Sequence, residues 1–181
     1  MSSTANGFSA WLTVRRELEE TLVSVQRASI EAFVARLQQN AGRVFFSGQG
    51  RSGLLAQMAA MRFMHLGVPA HAVGEATAPS IRVGDTLVMI SGSGRTSPGV
   101  EYARIASREG ATILLVTHQK DGPIQDVADE TFVIKTGESA QFGNTLFDHA
   151  VLLVLDSVVL ALMAELDQPA ALMRHNHSNL Q

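Results

Sequence analysis

Apolar and polar positions follow two rhythms along this chain. Between residues 8 and 40, Leu12, Leu18, Leu22, Val25, Phe33 and Leu37 recur at helix-like intervals. That spacing predicts one long helix or a bent pair, stopped at Gly42. Val44 to Ser47 then reads as a strand, and Ser52 to Leu66 as a helix closed by Gly67. A short strand is expected over His71 to Val73, a turn at Gly84-Asp85, and a strand over Thr86 to Ile90. Pro98 sits near the start of the next helix, where its missing N–H costs nothing. That helix runs to Glu109 and ends at Gly110. Ala111 to Thr117 is a β-branched, almost wholly apolar run, the kind buried on both faces of a parallel sheet. Gly122-Pro123 opens a short helix, Thr131 to Ile134 forms a last strand, and Gly137 to Asn144 is a polar loop. A final helix over Thr145 to Leu166 is apolar around most of its surface, and residues beyond it form a tail.

Strands alternating with helices predict an α/β fold, a parallel sheet with helices on both faces. The length of 181 residues fits one domain with a substantial core, spanning 1–181. The apolar run Ala150 to Leu155 is broken by Asp156, short of the roughly 20 residues of a membrane span. The last helix therefore belongs in the core or against another subunit. A net charge of -3 argues against a broad nucleic-acid surface. The absence of cysteine excludes disulfides and thiolate metal sites and is compatible with a cytoplasmic protein. Residues 1–7 carry no leader pattern.

Chemistry concentrates in two loops. Ser47-Gly48-Gln49-Gly50-Arg51-Ser52-Gly53 and Ser91-Gly92-Ser93-Gly94-Arg95-Thr96 each follow a strand and open a helix. Glycines let backbone approach a ligand, and a helix start offers unpaired N–H groups and a positive dipole end. Hydroxyls add donors. Two such loops point to one phosphorylated small molecule bound at the carboxyl ends of the strands. Gly48-x-Gly50-x-x-Gly53 also fits the dinucleotide fingerprint, with Glu75 near the next strand's end where an acid would hold a ribose. The second loop and the extra donors Arg51 and Ser52 favour the phosphate reading, and no length remains for a substrate domain. Ser91, Ser93 and Thr96, with the amides of Gly92 to Thr96, are expected on the phosphate. Ser52 is expected to contact substrate, cap the helix or do both. Arg51 pairs with a substrate oxygen or with a carboxylate such as Glu75. His71, His118, His149 and His175 read as packing or surface residues, and Met58, Met61 and Met64 as helix packing.

These loops resemble those of sugar isomerase (SIS) domains, together with the segment Ala60 to Gly67 and Val73-Gly74-Glu75. Met61-Arg62-Phe63-Met64-His65-Leu66-Gly67, Thr145-Leu146-Phe147-Asp148 and the tail His177-Ser178-Asn179-Leu180-Gln181 resemble the 6-phospho-3-hexuloisomerases more narrowly. The resemblance implies a three-layer sandwich on a five-stranded parallel sheet and a homotetramer with sites near subunit interfaces. It implies interconversion of D-arabino-3-hexulose 6-phosphate and fructose 6-phosphate through an enediol, as in formaldehyde fixation by the ribulose monophosphate route, without cofactor or metal. By the same resemblance Asp148 is the base, His65 polarises the carbonyl or shuttles protons, and His177 reaches a neighbouring site. Asp148 stands where the family usually has Glu, Arg95 where it often has Glu, and the loop before Asp148 lacks the family's Pro-Met-Gly. Two other readings fit the same pattern: an isomerase of another phosphorylated sugar, or a non-catalytic sugar-phosphate sensor. Sensors of this kind carry a helix-turn-helix ahead of the domain, and no such pattern precedes the first strand here.

Overall fold

In the computed structural model, residues 7–167 and 169–180 are described. The segment 1–6, read as carrying no leader, and Gln181 at the end of the family-like tail lie outside the described residues. Five parallel strands form one sheet in the order β2-β1-β3-β4-β5. They are β1 (Val44–Gly48), β2 (Ala70–Ala72), β3 (Thr86–Ile90), β4 (Thr112–Thr117) and β5 (Glu130–Val133). Among the described residues, six helices surround them: α1 (Gly7–Val23), α2 (Arg27–Gln38), α3 (Arg51–His65), α4 (Ser97–Arg108), α5 (Thr145–Met163) and α6 (Pro169–Asn176). The three-layer α/β architecture is as expected.

The central strands are apolar at nearly every position because both of their faces are covered. Val88, Ile90, Leu114 and Val116 enter one core with Phe33, Phe63, Phe147 and Val151, beneath α2, α3 and α5. Leu87, Met89, Ile113 and Leu115 enter a second, smaller core under α4 and Ile124. The layers are lopsided: side chains of α1 and α6 also pack on the first core, leaving α4 and a 3-10 turn at Gln125–Val127 on the other face. Phe33 and Phe132 lie 5.7 Å apart and Phe46 and Phe63 4.9 Å apart, ring centre to ring centre, within the range of favourable aromatic pairs.

Two elements add to the sequence pattern. Of the two readings of the first helical region, one long helix or a bent pair, the structure takes the pair, broken at Ser24, whose hydroxyl donates to the Thr21 carbonyl at 2.7 Å. Such side-chain bonds compete with the helix ladder. The segment after α5, expected as a tail, forms the short helix α6, which begins at Pro169. Helix α5 ends at Met163. It is long and apolar enough to cross a membrane by composition alone, but half of it is buried in the protein.

The register sets the positions of both loops. Gly48 is opposite Ile90 on adjacent strands, so the two Gly/Ser loops leave the sheet side by side at its carboxyl end.

Candidate active site

The first loop is a close passage of backbone past backbone. A side chain at Gly48 would run into the Ser52 carbonyl, so only glycine fits. Gly50 turns the chain into α3 at φ 58°, a conformation that favours glycine. Its carbonyl accepts the Gly53 N–H at 3.0 Å. Ser47, the residue before Gly48, is buried, and its hydroxyl has no hydrogen-bond partner among the described residues.

The second loop is organised by its own hydroxyls. Ser91 Oγ accepts the Gly94 N–H at 3.1 Å, and Ser93 Oγ accepts the Arg95 N–H at 3.2 Å. Each hydroxyl oxygen is thus used as an acceptor, and its hydrogen remains for an anion. Gly94 takes φ 64°. Thr96 is the N-terminal cap of α4 and is exposed. Arg95 is half exposed and pairs with Asp121 at 2.7 Å. Gly92 is hemmed in: a Cβ there would lie 2.7 Å from Asn144 Nδ2 and 3.0 Å from the His118 ring. Its carbonyl accepts the Thr117 hydroxyl at 2.8 Å.

On the first turn of α5, against the first loop, sits Asp148. Its residue is 3% exposed, and it is bound from α3 on both oxygens. Ser52 donates its hydroxyl to Oδ1 at 2.9 Å, and Arg51 Nε stands 3.3 Å from Oδ2. The position near the N-terminus of α5 favours negative charge. Arg51 keeps more than half of its side chain exposed and reaches His149 Nε2 at 3.3 Å through Nη2. A guanidinium only donates, so in this contact the imidazole nitrogen is the acceptor. Of the two pairings open from sequence, Arg51 takes a carboxylate, but it is Asp148 rather than Glu75.

Ser47, Gly50, Arg51, Ser52, the Ser91–Thr96 loop and Asp148 therefore gather at one end of the sheet. Glu75 lies on the turn after β2 and lines a different cavity, about 240 Å³, with Phe45, Leu87 and Tyr102 on the α4 side. His65 closes the far end of α3. At about 1.5 Å of rise per residue, it is about 20 Å from Ser52. There it stacks on His177 with ring centres 5.0 Å apart, and the Asn176 amide donates to its carbonyl at 3.1 Å. Burial, then the neighbouring His177 and Arg62, hold the His65 imidazole below its ordinary value. Neither histidine approaches Asp148 within the chain.

Sequence reading missed three neighbours of the site. His149 shows no helical or metal spacing; adjacency to Asp148 is its one signal. His118 follows β4 directly, and position after a strand in a parallel sheet is a usable signal. Asn144 precedes α5, where a capping residue is expected for structure alone. Among the described residues, no three His, Asp or Glu side chains converge to hold a metal ion.

Two hydroxyl-and-glycine loops side by side at the carboxyl end of a parallel sheet, with a buried carboxylate on a helix start held against the first of them, define an α/β protein with its polar groups gathered at one end of the sheet. The SIS domain pattern matches residues 38–162. The chain is 36% identical over 176 residues to the 3-hexulose-6-phosphate isomerase of Mycobacterium gastri, covering 93% of this chain and 88% of that one. It is 32% identical over 148 residues to the 3-hexulose-6-phosphate isomerase of Bacillus subtilis, covering 77% and 80%. A Methanococcus jannaschii crystal structure, from which a 3-hexulose-6-phosphate isomerase function was inferred, superposes with a TM-score of 0.85 at 28% identity. That match covers 95% of this chain and 99% of the other. The chain belongs to the SIS domain family and is an isomerase of that family.

Proposed function

We propose that this isomerase interconverts D-arabino-3-hexulose 6-phosphate and fructose 6-phosphate. The observation that carries the reading is Asp148, buried and bound by Ser52 and Arg51 where the two Gly/Ser loops meet α5. The relatives named as 3-hexulose-6-phosphate isomerases support the choice of sugar. The phosphate sits on the Ser91, Ser93 and Thr96 hydroxyls and the amides of Gly92 to Thr96, with Arg95 adding charge. Fixing that end sets which carbons reach the carboxylate.

Asp148 takes the proton from C2 of the 3-ketose, and the electron pair moves to form the C2–C3 double bond of an enediol. The C3 oxygen gains a proton as the C2 hydroxyl loses one. The carboxyl then returns its proton to C3, leaving the ketone at C2. One carboxylate serves both transfers, and donors must hold the developing oxyanion. The exposed part of Arg51 is the donor at hand, the one Ser52 hydrogen being given to Asp148. No cofactor or metal enters this scheme.

His65 and His177 act, in this reading, across a subunit interface of a homotetramer. Their distance from Ser52 leaves no role inside one subunit. The exposed Leu54, Met58 and Met61 of α3 and Leu153 and Leu160 of α5 would be covered in such an assembly. The setting is cytoplasmic sugar-phosphate metabolism of the formaldehyde-fixing type, with neither nucleic acid nor membrane as partner.

The test couples enzymatically generated 3-hexulose 6-phosphate to detection of fructose 6-phosphate, with Asp148→Asn beside the wild type. Turnover in the wild type and its loss in the variant support substrate and base together. A folded wild type that binds sugar phosphates without turnover points to another sugar or to a sensor.

A further inference from the structure

Helix α1 is largely exposed, yet Glu17 on it is 7% exposed. Its carboxylate is wrapped by a turn more than a hundred residues away in sequence. The Ser139 hydroxyl donates to Oε2 at 2.7 Å, the Ala140 N–H to Oε1 at 2.8 Å, and the Gln141 side-chain amide to Oε2 at 3.0 Å. Ser139 Oγ in turn accepts the Gln141 N–H at 3.0 Å, so the turn is wound around the charge. Such charge-assisted bonds are short and strong. They hold the Glu17 carboxyl below the ordinary carboxylate range, the Ala140 amide contributing most.

The turn leads directly into the candidate active site. Thr145 Oγ1 donates to the Phe142 carbonyl at 2.7 Å, which joins the turn to the start of α5. The Asp148 N–H donates to the Asn144 carbonyl at 2.9 Å. The Asn144 amide closes over Gly92 in the phosphate loop. We propose that Glu17 is a positioning residue for the isomerase site: its carboxylate fixes the Ser139–Gln141 turn, and with it Asn144 against Gly92 and the helix start that carries Asp148. The role in turnover rests on the function proposed above; the anchoring itself does not.

Charge, and not only shape, is required. Glutamine at position 17 has one oxygen to offer where two are used. Its NH₂ must face the Ala140 N–H or the Gln141 amide, both donors. In the exchanged pair, Glu17→Gln with Gln141→Glu, the oxygen at position 17 accepts the Ala140 N–H and its NH₂ donates to the carboxylate at position 141, with the Ser139 hydroxyl turning to accept from that NH₂. The experiment measures hydrogen exchange of the 138–148 amides and turnover of 3-hexulose 6-phosphate in the wild type, the single variant and the exchanged pair. Glu17→Gln is expected to speed exchange in this segment about tenfold and to lower kcat/KM about tenfold. The exchanged pair recovers both to within threefold. Unchanged exchange in a folded Glu17→Gln overturns the proposal, as does faster exchange with kcat/KM within twofold of wild type. A loss that the exchanged pair does not recover overturns it too. If Glu17→Gln fails to fold, Ser139→Ala removes one donor and is expected to speed exchange about threefold, with no change overturning the proposal. If the wild type turns over no hexulose phosphate, the proposed function fails separately. Inorganic phosphate affinity then replaces turnover, with a threefold weakening expected in Glu17→Gln and no weakening overturning the proposal.

Discussion

Two buried aspartates mark the two ends of the sheet, and their surroundings differ in kind. Asp85, just before β3, is at the amino end. It accepts the Arg43 N–H at 2.8 Å, Arg43 Nε at 3.2 Å and Nη2 at 2.8 Å, and the Arg82 N–H at 2.9 Å. Gly42 is pressed against it, so that a Cβ there would lie 2.5 Å from Oδ1. Asp148, at the carboxyl end, receives one hydroxyl and one arginine whose side chain is 55% exposed. The amino-end carboxylate is saturated by donors that belong to the fold. The carboxyl-end carboxylate is held by donors that a substrate can also engage. Saturation is what structure needs, and spare capacity is what proton transfer needs.

The largest effect that tests this contrast is on turnover. Asp148→Asn keeps the shape and removes the proposed base, and a fall in kcat of about 10³-fold is expected. Its denaturation midpoint should stay close to wild type, because helix α5 and its packing are untouched. A large loss of stability with little loss of rate would reverse the assignment of the two ends. Next is Asp85→Asn, which leaves Arg43 without its charge partner. Breaking a largely buried pair costs about 3 kcal/mol, read from urea unfolding, while turnover per folded molecule is expected unchanged.

A smaller effect comes from pH. His65, also toward the amino end, has its pKa lowered by burial, so the unfolded chain binds a proton first. Stability is then full above the ordinary histidine value of about 6.5 and falls as pH drops through it toward the folded pKa. Urea midpoints at pH 7.5 and 5.5 should show this fall, and His65→Gln should flatten it. At Asp85, burial pushes the carboxyl up, but the Arg43 side chain and the Arg43 and Arg82 amides outweigh it. The net lowering keeps its stabilisation above the carboxylate range and releases it only in stronger acid. The smallest effect belongs to Arg95→Ala. Its pair with Asp121 is solvent-exposed and contributes at most about 1 kcal/mol to stability. A weakened KM for sugar phosphate with unchanged Tm would sharpen the assignment of this loop to substrate.

The fold was legible because its signals are local. Leu87-Val88-Met89-Ile90 and Ile113 to Val116 are continuous apolar runs, as strands covered on both faces must be. The loops are legible for the same reason, since Gly48 and Gly94 answer to backbone geometry a few residues away. The break between α1 and α2 was legible only as one of two alternatives, because part of its cause is distant: Ser24 also bonds the Lys135 carbonyl at 3.3 Å. Glu17 is hidden more deeply. A glutamate on an amphipathic helix looks like a solvated face until residues 139–141 are folded onto it. Asp148 entered through resemblance alone, since one acid near a helix start carries no signal of its own. The pairing of Arg51 with Asp148 and His149 depends on α3 and α5 lying side by side, which no spacing within one segment can announce.

The strand order has a consequence for how the molecule assembles. The two loops become neighbours only when β3 docks beside β1, across about 40 intervening residues that include α3 and β2. Closing that loop costs chain entropy before any contact repays it. Asp148 arrives later still in sequence, from the last long helix. If a sugar phosphate is held as proposed, its phosphate on the second loop and its sugar against Ser52 and Asp148, its binding energy is added to the global unfolding transition rather than to local opening.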